Sequence, residues 1–139
     1  MNWIPYALVS ALAAGATAIL AKIGIKDVPS NLATALRTLA ILIFAWGIVF
    51  ARGEAQELRS LTARTWLFLA LSGVATGVSW LAYFKALQLA PASQVAPIDK
   101  LSLPITIALA WLVLGEPMSW RLGVGAALMV IGALMTLKP

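Results

Sequence analysis

Asn31-Leu-Ala-Thr-Ala-Leu-Arg37-Thr-Leu-Ala-Ile-Leu-Ile-Phe-Ala-Trp-Gly-Ile-Val-Phe-Ala51 decides how this chain must be read. The stretch is 21 residues long and Arg37 is its single charge. An α-helix needs about 20 largely apolar residues to cross the hydrocarbon layer of a bilayer. The apolar residues come as a block rather than as one amphipathic stripe, which suits a helix surrounded by lipid. They do not alternate, and the run is about twice the length of a barrel strand.

Four further stretches pass the same test, over residues 3–24, 65–89, 93–114 and 120–137. The whole chain has 139 residues, of which 62% are hydrophobic and 11% charged, and its mean hydropathy is +0.95. A soluble domain carries about 25% charged residues to cover its surface. The expected fold is therefore all-α: a single polytopic transmembrane domain over 1–139, built as a bundle of about five membrane-spanning helices. Membrane lipid is its first partner. Pro5 sits in the first turn of the first span, where a missing N–H costs little. Ala16-Thr17-Ala18 has the form of a signal-cleavage site, but Met1-Asn2-Trp3 offers no basic leader. The first helix is read as retained.

Short turns join the spans. Asp27-Val-Pro-Ser-Asn31 supplies a breaker and two candidate N-caps, Ser30 and Asn31. Gly115-Glu-Pro-Met-Ser119 reads as a tight turn, with Ser119 as an N-cap. The polar connection is Arg52 to Arg64, carrying Arg52, Glu54, Glu57, Arg59 and Arg64. Leu58 and Leu61 could dip from it into the headgroups. Trp66 is placed as an interfacial anchor.

No Cys and no His are present, which removes disulfides, thiolate zinc sites, Cys nucleophiles and a His general base. No metal site, cofactor or catalytic group is expected, and the chain is read as no enzyme. The net charge of +5 points to anionic headgroups rather than nucleic acid, because no basic patch is interleaved with exposed aromatics. No Walker motif is present, so ATP is not a direct energy source.

Small residues four apart mark close helix contacts in lipid. Ala7, Ala11 and Gly15 form one such stripe, Gly73 and Gly77 a second, Gly123 and Ala127 a third. Packing within one chain is the expectation for each, with contact between copies as the alternative. Orientation is balanced. Arg52, Arg59, Arg64 and Arg121 lie on one side, against Lys22, Lys26 and Lys138 on the other, joined by Arg37, Lys85 and Lys100 if these snorkel outward. Such balance is what a dual-topology protein shows, with copies inserted both ways.

Ionisable residues inside spans are costly and usually face a bundle interior or a watery cavity. Lys22, Arg37, Lys85, Asp99 and Lys100 lie toward the same side. Asp99 and Arg37 each stand roughly 9 Å inside their helices at 1.5 Å per residue. Asp99 is the single acid of the group and is expected to pair with Arg37 or Lys85. The structural alternative is that these pairs merely hold helices together. Pro97 and Pro104, seven apart, each remove a backbone hydrogen bond and permit bending or ligand contact. Trp80, Tyr83 and Phe84 could line the same cavity. Glu116 reads as a turn residue or as half of a gating ion pair with Arg121.

These residues carry a resemblance. Trp80-Leu-Ala-Tyr-Phe-Lys-Ala-Leu-Gln88, Ala90-Pro-Ala-Ser-Gln-Val-Ala-Pro-Ile-Asp-Lys-Leu-Ser-Leu-Pro104, Leu114-Gly-Glu116 and the glycine-rich helix from Gly123 to Gly132 resemble the EamA domain of the drug/metabolite transporter superfamily. The likeness covers nearly the whole chain. Full-length members resemble two inverted five-helix repeats, and this chain has one. The resemblance implies a half-size secondary transporter of small metabolites, completed by antiparallel homodimerisation, in a prokaryotic inner membrane. Small multidrug members use a Glu of the first helix for proton coupling; here the first helix has no acid. Alternating access around a central cavity is the expected mechanism. Asp99, Lys100, Lys85, Arg37, Lys22, Trp80, Tyr83, Pro97 and Pro104 are the substrate or coupling candidates, and Glu116 and Arg121 the gating ones. A non-transporting membrane scaffold or accessory subunit is the rival reading.

Overall fold

The computed structural model describes residues 2–137. The all-α class expected from sequence holds, with six α-helices among the described residues: α1 Ile4–Gly24, α2 Ser30–Ala51, α3 Ala63–Leu89, α4 Ala92–Asp99, α5 Ser102–Leu114 and α6 Trp120–Met135. A 3₁₀ turn over Glu54–Ser60 lies in the polar connection and packs against α2.

Local chemistry sets the helix ends. Asn2 Oδ1 accepts from the Ile4 N–H at 3.2 Å and opens α1. Thr62 Oγ1 accepts from the Thr65 N–H at 3.2 Å, so α3 starts two residues earlier than its apolar run. Ser119 Oγ accepts from Leu122 N–H at 3.2 Å, the capping bond its position in sequence suggests. At the start of α2 the expectation of a side-chain cap fails. Pro29 holds the cap position, no side chain caps the first-turn N–H groups, and Ser30 is already helical. Asp27 takes a left-handed φ of +63° and Gly115 one of +68°. The latter turn brings the Glu116 N–H back to the Ala110 carbonyl at 3.2 Å.

Two differences from the sequence reading concern the later spans. The stretch over 93–114 is broken into α4 and α5 at Lys100 and Leu101. Pro97 has no N–H for the Ser93 carbonyl and Pro104 none for that of Lys100. The backbone tightens there: Leu101 N–H bonds Ile98 O and Leu103 N–H bonds Lys100 O, each at 3.0 Å. The last helix stops at Met135, because Thr136 N–H and hydroxyl both turn onto the Ala133 carbonyl, at 3.2 and 2.7 Å. Its 16 residues span about 24 Å at 1.5 Å each, short of the ~30 Å hydrocarbon layer. The boundary charge Lys138 lies outside the described residues. The stretches Ile4–Gly24, Ser30–Ala51, Ala63–Leu89 and Ala92–Leu114 are long and apolar enough to cross.

The chain divides into two compact units, residues 21–88, and residues up to 20 with those from 89 onward. In the first, Ile25, Thr34, Tyr83, Phe84 and Leu87 are buried. In the second, α6 packs on both α4 and α5, and Ala18, Val95 and Ala133 are buried. Most large side chains face outward, Leu12, Phe44, Val113 and Trp120 among them. Water would not tolerate that surface, whereas acyl chains match it. Polar groups within the helices are satisfied locally: the hydroxyls of Thr17, Thr34, Thr38, Thr76 and Thr106 each donate to the carbonyl four residues back at 2.8–2.9 Å. This is an integral membrane protein.

A Cβ added at Gly15, Gly73, Gly77 or Gly123 meets no atom within 4 Å, so these glycines do not sit at close helix contacts inside their own unit.

Candidate functional site

Residues 21–88 bring together Arg37 and the aromatic residues Trp80, Tyr83 and Phe84. Trp80, Tyr83 and Phe84 stand three and four apart on α3 and so share one face. The Trp80 ring meets Tyr83 edge-on at 5.3 Å and 79°, and Phe84 at 5.7 Å. Tyr83 and Phe84 are buried. Across from them, the Arg37 guanidinium of α2 lies over the Trp80 ring, 3.4 Å from its centroid. That is a full stacking contact, within the range where an aromatic face stabilises a cation.

At the ends of the same helices lies a polar seam. Lys22 Nζ donates to the Leu87 carbonyl, and Gln88 Nε2 donates to the Val28 carbonyl at 2.7 Å. An open cleft of about 700 Å³ is lined there by Lys22, Lys26, Asp27, Pro29 and Gln88 among others. Gln88 was not singled out from sequence. Its place at the end of a long span, opposite a Pro-containing turn, was the available signal. Lys85 is exposed and makes no ion pair among the described residues.

In the other unit, Asp99 has a partner beside it in sequence. Asp99 Oδ2 and Lys100 Nζ form an ion pair at 3.1 Å, with side chains 31% and 53% exposed. Lys100 keeps a helical backbone, its N–H bonding the Ala96 carbonyl at 3.2 Å, so its long side chain bends back to reach its neighbour. Pro97 and Pro104 flank this pair. Glu116 is a turn residue that lines a small cleft of about 210 Å³ with Thr106, Trp111 and Met118. No ion pair joins it to Arg121 among the described residues; the Arg121 guanidinium stands 5.7 Å from the Trp120 ring. Among the described residues no group of three His, Cys, Asp or Glu could hold a metal.

The sequence matches the EamA-like transporter family over residues 1–138. The chain belongs to the EamA-like transporter family. One EamA-like relative, from Sinorhizobium sp, is named an uncharacterized transporter in the cobO 3' region. It is 46% identical over 134 residues, covering 96% of this chain and 95% of that protein. A second relative is named a riboflavin transporter, from Vibrio cholerae serotype O1. It is 34% identical over 110 residues, covering 79% of this chain and 35% of that protein. No solved structure matches the chain. As an EamA-like protein, the chain is a membrane transporter.

Proposed function

We propose that this EamA-like transporter is a secondary carrier of small metabolites, working by alternating access as an antiparallel homodimer in a prokaryotic inner membrane. The observation that carries this reading is the break at Lys100 and Leu101. It falls inside an apolar stretch otherwise long enough to span the bilayer, and it holds the Asp99–Lys100 ion pair. Lys100 stands eight residues after Ala92, about 12 Å inside at 1.5 Å per residue. Irregular backbone and charge at such depth are tolerated beside a cavity or protein, and discontinuous helices of this kind bind solutes and ions in secondary transporters.

The dimer reading draws support from length and from surface. The chain spans 95% of one transporter relative but 35% of the other, as one repeat of a longer protein would. Its spaced glycines meet open space, which leaves them available to a second copy. The near balance of Lys and Arg on the two sides suits copies inserted both ways. In this reading two copies rock about a shared cavity, and the Asp99–Lys100 pair opens and closes as substrate or coupling ion enters. Lys85, Lys22, Glu116 and Arg121 would set the charge of the entrances.

Reconstitution tests it. Proteoliposomes loaded with riboflavin and a panel of small metabolites should release at least one of them. Asp99→Asn should abolish that release while the protein stays helical and monodisperse in detergent. Release unchanged by Asp99→Asn would remove the coupling role. Absence of release for every solute would remove the carrier reading.

A further inference from the structure

Arg37 holds a permanent positive charge within a helix long and apolar enough to span the bilayer. Such a charge is ordinarily relieved by a carboxylate partner or by snorkelling to the headgroups. Neither occurs. Within residues 21–88 the ion pair is Arg52–Glu54, so no acid of that unit neutralises Arg37. Nor does the side chain reach for the boundary. Arg37 stands seven residues after the start of α2, about 10 Å inside at 1.5 Å per residue. Trp80 stands nine residues before the end of α3, about 14 Å inside by the same rise. The Gln88–Val28 hydrogen bond of 2.7 Å ties those two ends together, so both depths are measured from one boundary. A guanidinium lying 3.4 Å over the Trp80 ring is therefore held beside Trp80 at depth rather than at the boundary.

Stacking uses the flat face of the guanidinium and leaves its N–H edges free. Those edges form a rigid fork matched to the two oxygens of a carboxylate or phosphate. Within residues 21–88 no acid pairs with them. We infer that Arg37 and Trp80 are the recognition element for an oxyanion, carboxylate or phosphate, on the transported solute. Trp80 holds the guanidinium plane, and Arg37 donates two parallel hydrogen bonds to the anion. The assignment rests on the carrier reading above and specifies its substrate class.

Thermal unfolding of the purified protein in nonionic detergent, stripped of phospholipid, tests this with matched pairs of probes: benzoate with benzamide, phenyl phosphate with phenol, malonate with malonamide. A second arm adds phosphatidylglycerol in place of the soluble probes. At least one soluble anion should raise the melting temperature of the wild type while its neutral partner does not. The shift should vanish in Arg37→Gln and shrink in Arg37→Lys, which keeps the charge without the fork. Ligand-free Arg37→Gln should melt no lower than the wild type, because it loses an unpaired charge at depth; this separates lost recognition from lost folding. The assignment is overturned if no soluble anion stabilises the wild type, if Arg37→Gln keeps the shift, or if phosphatidylglycerol alone gives an Arg37-dependent shift. Release of a neutral or cationic solute without anion binding would overturn it and leave the carrier reading standing. Arg37-dependent anion binding without release of any solute would do the reverse.

Discussion

The Lys22 ammonium donates to the main-chain carbonyl of Leu87, so the last turn of α1 is fastened to the last turn of α3. Carbonyls at a helix C-terminus have no partner within their own helix and carry the negative end of its dipole. Lys22 satisfies one of them at a place where Leu87 is fully buried. A lysine read from sequence as a substrate contact is thus also a structural tie.

Replacing that tie should cost stability. Lys22→Met keeps the length of the side chain and removes the donor, leaving a buried carbonyl unpaired. A hydrogen bond to a charged group is worth about 1.5–3 kcal/mol, and a loss of that order is expected in denaturant unfolding from detergent. An unchanged unfolding midpoint would mean that water or lipid serves the carbonyl equally well.

Straightening the broken helix should trade movement for rigidity. Pro104→Ala supplies an N–H to the Lys100 carbonyl, which now accepts from Leu103 at 3.0 Å. Pro104 lies in the first turn of α5, so the gain is that of one main-chain hydrogen bond, about 1 kcal/mol, read as a slightly higher melting temperature. Solute release from proteoliposomes should fall at least tenfold. Full release from the stabilised variant would show that the break has no part in transport.

Bulk at an open glycine should separate folding from assembly. A side chain at Gly73 meets nothing within 4 Å in the single chain, so Gly73→Leu should leave helix content and yield unchanged. If two copies meet on that face, light scattering in detergent should register a shift from dimer toward monomer. A Gly73→Leu protein with the wild-type mass distribution would place the dimer contact elsewhere.

Charge added to the 52–64 connection should choose an orientation. In the dual-topology reading the Lys and Arg balance leaves insertion unbiased, and orientation follows the cationic excess in short loops. Accessibility labelling of tags at each end should find both sides labelled in the natural sequence. One side should dominate after Glu54→Lys with Glu57→Lys. If copies must insert both ways to pair, the biased protein should also lose solute release. Single-sided labelling of the natural sequence would remove dual topology.

Much of the fold could be read locally. Ser119 caps α6 because a serine before an apolar helix has a donor-rich turn to serve. Gly115 turns left-handed because glycine lacks the Cβ that opposes it. The α2 start was misjudged for a similar local reason: Pro29 already sets an extended residue there, and Ser30 enters the helix. The site was less legible. Sequence marked Arg37, Trp80 and Asp99 as candidates, but paired Asp99 with a distant cation. Within its own unit its partner is the adjacent Lys100 at 3.1 Å, a pair that helical spacing does not suggest.

What the sequence determined alone is the class of molecule: apolar stretches near 20 residues long, with few charges, partition into lipid. That preference sums over each segment and hardly depends on its neighbours. Family membership likewise follows from the order of residues. Tertiary structure decided which faces meet. A long side chain such as Arg37 or Lys22 can reach up or down its helix by a turn. Its partner therefore depends on the rotation and depth of the neighbouring helix, which periodicity does not specify. The stack of Arg37 on Trp80, the Lys22–Leu87 tie and the open glycine faces belong to that second kind of information.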